Sequence, residues 1–312
     1  MISAVDIGGT KIAVGEVSSC GKVVARLEVE TEPEKGFAYS MERIRNMLRA
    51  NARSTGTRIS GIGIACTGPV DPFSGEIGNV DFLQGWQGHN PVRALSHEFA
   101  VQAAMENDAD AGALAEAAWG AGSGKRNLLY VTVGTGIGSG LILDGRLYRG
   151  VGQSHPELGH HVVDATGPAC GCGARGCWES LACGPAMVSW LRAEAPKDYP
   201  HLTNLTAKRI CELAQQGDLW ARRATEREAH YLGIGLANLV TLFTPEIIIL
   251  GGGVMNSAHL FWDGVRKVIQ SSCRLVPAEK TELTTATFGA DSALIGAARV
   301  WHERFGRAES GT

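Results

Sequence analysis

The chain has 312 residues, 44% of them hydrophobic and 20% charged, with a formal net charge of −3 and acids and bases interspersed. That length exceeds the roughly 250–300 residues at which one core stops growing, so two packed domains are expected. The charge balance excludes the basic footprint of a nucleic-acid or anionic-membrane binder, and no uninterrupted apolar run reaches the roughly 18 residues of a bilayer span.

The opening MISAVDIGGTK has no basic n-region and carries Asp6, so no signal peptide is expected and the protein is read as cytoplasmic. Thiols stay reduced in that compartment. The segments 2–7, 11–18 and 22–30 predict three strands in a meander, and Met41, Ile44, Met47 and Leu48 predict a helix over 37–53. A strand over 58–65, a helix over 91–100 and a strand over 101–107 complete an α/β round. A second round follows, with a strand at 127–133, the turn GTGIGSG, and a hairpin over 140–150. Helices are predicted over 179–193, 206–216 and 219–242, a strand over 246–250 ended by three glycines, and a last helix over 291–305 capped by Asp291 or Ser292. The residues 306–312 read as a polar tail. VDIGGT at 5–10 and VTVGTG at 131–136 share a strand and a Gly/Thr turn, which is either an internal duplication or a chance match of six residues.

Glycine turns leaving buried strands present backbone N–H groups that can surround phosphate oxygens. In DIGGTK, Asp6 could hold Mg²⁺ through water while Thr10 and Lys11 reach phosphate; an ordinary strand turn is the other reading. Neither the Walker A pattern nor the dinucleotide fingerprint is present. Asp108 follows a strand and is either an active-site acid or the N-cap of a helix over 109–120. Cys170, Cys172 and Cys177 fall within eight positions, as a metal knuckle, a redox device or a turn that carries thiols. The other five cysteines are scattered and read as small buried hydrophobes.

DIGGTK (6–11), ENDADAGALAE (106–116), GTGIGSG (134–140), HPELGH (155–160), CGCGARGCWE (170–179) and LGGGVM (250–255) occur in the order seen in the ROK family, which the chain resembles from residue 4 to about residue 300. The resemblance implies the actin-like ATPase fold, a duplicated ribonuclease H-like α/β core with two domains around a cleft. The expected division is a small domain over 1–118 with the helix 291–305 packed back on it, and a large domain over 119–290. It implies ATP- and Mg²⁺-dependent phosphorylation of a hexose 6-hydroxyl, with Asp108 as catalytic base. Gly68, Asn79, Asn107, Asp108, Glu157, His160 and Glu179 are the implied sugar-binding residues. Asp6, Gly8, Gly9, Thr10, Lys11, Gly134, Thr135, Gly136, Gly184, Gly252 and Gly253 are implied at the nucleotide. The spacing H-x9-C-x-C-x4-C equals the family's zinc motif, giving His160, Cys170, Cys172 and Cys177 as ligands of a structural Zn²⁺.

Glucose is the first expectation for the sugar. N-acetylmannosamine, N-acetylglucosamine or fructose is the alternative, and the GPVDP loop lacks the Gly-Arg-Val pattern associated with some acetyl-sugar enzymes. A silent sugar sensor is disfavoured by the joint presence of Asp6, Asp108 and Thr135. Repressors of the family carry a DNA-binding helix-turn-helix ahead of the DxGGT strand; this chain begins on that strand, so no such module and no nucleic-acid partner are expected. A homodimer or homotetramer is expected from the resemblance.

Overall fold

The computed structural model describes residues 1–80 and 82–306, so the predicted tail lies, beyond Gly306, outside the described residues. From the N-terminus come β1 (Ile2–Ile7), β2 (Lys11–Val17), β3 (Val23–Glu30), α1 (Gly36–Thr55), β4 (Ile62–Cys66), α2 (Pro91–Phe99), β5 (Ala103–Asn107) and α3 (Asp108–Trp119). There follow β6 (Leu128–Val133), β7 (Ile137–Leu143), β8 (Arg146–Leu147), α4 (Trp178–Ala182), α5 (Gly184–Glu194), α6 (Ala207–Gln215) and α7 (Leu219–Phe243). The chain ends through β9 (Ile247–Gly251), α8 (Trp262–Ser272), β10 (Glu282–Thr285) and α9 (Ser292–Phe305). Among the described residues no helix is long and apolar enough to cross a membrane.

The first sheet has the order β3-β2-β1-β4-β5 and the second β10-β9-β6-β7-β8. In the first, β1 to β3 are antiparallel neighbours, and β4 and β5 run parallel to β1. In the second, β9 runs parallel to β6 and β10, and β7 and β8 are antiparallel. Counted from its first strand, each sheet therefore has the same order, so the match between 5–10 and 131–136 marks a topological repeat. β1 and β6 correspond, and Thr132 stands in the second repeat where Asp6 stands in the first.

Two compact units result. The first comprises Met1–Arg126, Gly140–Pro156 and the chain from Ala286; the second comprises Asn127–Ser139 and Glu157–Thr285. In the first, Val5, Ile7, Ile12 and Val14 join Met41, Ile44 and Leu48 of α1 in one buried cluster. α9 packs against α3, β1 and β4. The entry to α9 is fixed by the buried Glu116 of α3, which accepts the Thr287 N–H at 2.8 Å, the Phe288 N–H at 3.2 Å and the Ala121 N–H at 3.0 Å. Asp291 does not cap α9 with its side chain, because its carboxylate accepts from Arg26 Nε at 2.9 Å.

Several elements depart from the pattern read along the chain, among them β7, which begins at Ile137 inside the predicted GTGIGSG turn. β4 starts at Ile62 rather than at 58, where its pairing with β1 begins. The predicted helix over 179–193 is two helices, broken at the extended Cys183. α8 and β10 had no signal: α8 buries only Val265 and Ile269, and β10 has no buried residue.

In the second unit α7 packs against α4, α5, α6 and α8. Within it Glu228 is fully buried, and neither carboxylate oxygen has a hydrogen-bond partner among the described residues. Burial raises its carboxyl from 4.5 to about 8, opposed only by the neighbouring Arg227. A carboxyl raised in the folded state contributes stability that is complete below pH 4.5 and is lost as the pH climbs through about 8. Glu228→Gln should therefore flatten the fall in unfolding free energy between those limits and stabilise the protein at about pH 9 by roughly 1 kcal/mol or more. Denaturant unfolding at several pH values measures this, and an unchanged slope would contradict it.

Candidate active site

In the first unit the parallel strands β1, β4 and β5 end side by side, with Ile7 opposite Cys66 and Cys66 opposite Asn107. Carboxyl ends of parallel strands are where α/β sheets present ligand-binding groups. Asp6 stands one residue before the end of β1, and Asp108 opens α3 directly after β5. Burial, and then the charge of Asp108, push the Asp6 carboxyl up to about 8, while Arg26 pulls the other way. Burial followed by the same two carboxylates pushes the Cys66 thiol up. Both acids thus act on one small, poorly solvated space. A divalent cation would relieve this repulsion, so the donor set fits a hard, oxygen-seeking ion such as Mg²⁺.

Asn107, not Asp108, is the N-cap of α3: its Oδ1 accepts the Ala109 N–H at 2.9 Å and the Asp110 N–H at 3.3 Å. Its amide nitrogen faces Gly68, where an added Cβ would come within 2.9 Å of it. Asp108 is half-buried, and its Oδ1 accepts the Ala109 N–H at 2.8 Å. The Gly68 loop doubles back through a bridge between Val70 and Ile77 and a Gly78 N–H to Pro69 O bond of 2.8 Å, which brings the exposed Asn79 to the same loop end. In the DIGGTK turn the Gly8 N–H donates to Lys11 O at 2.9 Å, and Thr31 Oγ1 donates to Gly8 O at 2.7 Å. Lys11 Nζ is paired with Glu28 at 2.5 Å on the exposed side of β2 and β3, so it meets a phosphate only by leaving that carboxylate.

The second unit gathers the remaining glycine turns. The Gly134 N–H donates to Gly136 O at 2.9 Å, and the Gly184 N–H, first in α5, donates to Gly134 O at 2.9 Å. This bond takes up the N–H freed at the break before Pro185, which cannot continue the helix. Gly252 follows β9 with φ of +87°, and a Cβ there would lie 2.4 Å from Val133 O, so the third turn is pressed against the end of β6. Thr135, Gly136, Gly184, Gly252 and Gly253 therefore share one end of the sheet. Glu179 Oε2 accepts the Ile137 N–H at 2.9 Å, and a Cβ at Gly136 would sit 2.3 Å from that oxygen. The residue expected at the sugar is also the brace of the Gly134–Gly136 turn.

Glu157 and His160 flank a short turn in the same unit. The ligand atoms of His160, Cys170, Cys172 and Cys177 all lie within 4.8 Å of one another, with His160 Nδ1 3.5 Å from Cys170 Sγ and Cys172 Sγ 3.5 Å from Cys177 Sγ. Tetrahedral ligands at zinc bond lengths are separated by about 3.5–3.8 Å, so the set fits Zn²⁺. Burial and the neighbouring thiols push Cys177 up to about 12, a state that a thiophilic cation would reverse. Immediately after it, Trp178 is fully buried, with its Nε1–H donating to Tyr231 O at 3.0 Å on α7. That anchor and the His155–Asp110 contact of 2.8 Å in the first unit have no role read from the sequence, where nothing in their local spacing marks them, whereas Cys66 is the small buried hydrophobe expected.

A family model described as "ROK family" matches residues 2–304. The chain belongs to the ROK family. A glucokinase of Thermotoga maritima is 30% identical over 310 residues, spanning 97% of each chain. The structure of a ROK family glucokinase from Streptomyces griseus, in complex with glucose and AMPPNP, superimposes with a TM-score of 0.84 at 30% identity, covering 97% of this chain and 99% of the other. A ROK hexokinase from Thermus thermophilus gives a TM-score of 0.81 at 35% identity, covering 97% and 98%. The two five-stranded sheets of this ROK protein are those of the actin-like ATPase fold.

Protein purified without chelator should carry about one zinc per chain by elemental analysis. Cys170→Ser should lose it and lower the unfolding temperature, whereas Cys273→Ser, remote from the cluster, should retain it. A metal-free wild type would contradict the assignment.

Proposed function

We propose that the chain is a sugar kinase that transfers the γ-phosphoryl group of ATP to the 6-hydroxyl of a hexose, with glucose preferred. The observation that carries this reading is the pair Asp6 and Asp108 at the carboxyl ends of β1 and β5, on either side of β4, combined with glycine turns after both central strands. Phosphoryl transfer demands little covalent chemistry of the protein; it requires positioning, charge neutralisation and a group to take the hydroxyl proton.

Asp108 is assigned as that base. Its backbone is fixed at the first turn of α3, and its carboxylate has one oxygen on the Ala109 N–H. The cap formed by Asn107 leaves its amide N–H₂ group to hold a sugar oxygen beside the base. Glu157 and Glu179 offer carboxylates to further hydroxyls. His160, with Nδ1 turned to the cysteines, keeps Nε2 for the sugar. Asp6 is assigned to the Mg²⁺ that accompanies ATP, and that ion supplies neutralisation of phosphate charge. Thr10, the Gly9 N–H group and Lys11, once it leaves Glu28, are assigned to the transferred phosphoryl group, because the Gly8 N–H is already held by Lys11 O. Thr135 and Gly136 are assigned to the phosphates behind it, and Gly184, Gly252 and Gly253 to the adenosine. Zn²⁺ fixes the knuckle that carries Glu179 and takes no part in the chemistry.

An ADP-release assay over glucose, mannose, fructose, N-acetylglucosamine and N-acetylmannosamine tests the reading. Glucose should give the highest kcat/KM and glucose 6-phosphate as product. A preference for an acetylated sugar would overturn the glucose assignment, and no sugar-dependent ADP from any of the five would overturn the kinase.

A further inference from the structure

Away from the strand ends, the first unit contains a cavity of about 500 Å³ between α3, α9 and the β7–β8 hairpin. Its apolar lining includes Leu114, Ile142 and Val300, all buried. Its polar lining is lopsided. Lys125, Arg146, Arg149, Arg299 and Arg304 border it against only two carboxylates, Glu106 and Glu303, in a chain whose net charge is −3.

Both carboxylates are already engaged. Glu303 is paired with Arg299 on α9, and the buried Glu106 accepts from Arg149 Nε at 3.1 Å and from Arg149 Nη2. The Arg146 side chain makes no ion pair or hydrogen bond among the described residues, its backbone alone being paired with Leu143 of β7. Arg149 spends Nε and Nη2 on Glu106 and keeps Nη1 for another acceptor. Arg304 is held at the rim: it donates to Pro72 O at 3.1 Å and stacks on Phe73 with 4.4 Å from its guanidinium carbon to the ring centroid. Phe73 in turn lies 5.8 Å from the guanidinium of Arg149. The cations thus stand on two walls, Arg146 and Arg149 on one and Arg299 and Arg304 of α9 on the other.

We propose that this cavity binds a small organic anion bearing two phosphoryl groups, one against each wall. Guanidinium forks match phosphate oxygens, and the volume lies within the roughly 300–1,000 Å³ range of small-molecule sites. Successive strand side chains face opposite ways, so Glu106 turns into the cavity while its neighbour Asn107 caps α3. The site is therefore built on the strand and helix that carry Asp108 but is separate from the glycine turns assigned to ATP.

Calorimetric titration with inorganic pyrophosphate tests this on the full-length protein, with glucose and a Mg²⁺-bound non-hydrolysable ATP analogue saturating. One further site is expected, weakening steeply with added salt and at least about tenfold weaker in Arg146→Glu and in Arg299→Ala. Arg146 is exposed and unpaired, so its variant should unfold at the wild-type temperature, which a thermal scan checks. Absence of a second site in the wild type, or wild-type affinity in either variant, overturns the proposal. Either result leaves the kinase reading intact, because the ATP site is filled throughout.

Discussion

Two carboxylates at the carboxyl ends of β1 and β5, on either side of β4, are the constraint around which the first unit is organised. The register of β1, β4 and β5 puts Ile7, Cys66 and Asn107 in one row, so Asp6 and Asp108 are presented at the same edge of the sheet. Burial then makes their like charge expensive, which appears as an Asp6 carboxyl raised to about 8. Natural cores avoid such an arrangement unless a cation or a reaction uses it. The second repeat has Thr132 at the place of Asp6, so the duplication kept the glycine turn in both halves and the acid in only one.

The second unit solves a different problem, that of holding flexible glycine backbone in one conformation. Glu179 does this through the Ile137 N–H, and the Gly184 N–H does it through Gly134 O. Glu179 is itself fixed by what precedes it in the chain. The Cys/His cluster ends two residues before it, and the intervening Trp178 is buried against α7. A structural metal there would act at a distance, by setting where one carboxylate stands.

Much of this is legible in the letters. Buried strands with β-branched runs, such as 2–7 and 128–133, declare themselves, and so do amphipathic helices such as α1. The motif order identifies the family and hence the residues worth examining. Other features depend on tertiary contacts that no local pattern encodes. The break at Cys183 has a local signal in Pro185, which cannot continue a helix, while the capture of the Gly184 N–H by Gly134 O could not be read from the letters. α8 and β10 form because α7 and β9 offer a face and an edge to pair with, not because their own sequences demand it. The capping role of Asn107, the Lys11–Glu28 pair and the second duty of Glu179 each require knowing which backbone or carboxylate lies across a turn.

Asp108 is where fold and proposed chemistry meet, and its replacement by asparagine is the sharpest single measurement. The amide keeps the size and can keep the Ala109 N–H bond, but cannot accept the hydroxyl proton. Asp108→Asn should lower kcat by about 10²–10⁴ while leaving the dissociation constant for glucose, measured by tryptophan fluorescence or calorimetry, within about threefold of wild type. Turnover near the wild-type rate would contradict Asp108 as the base.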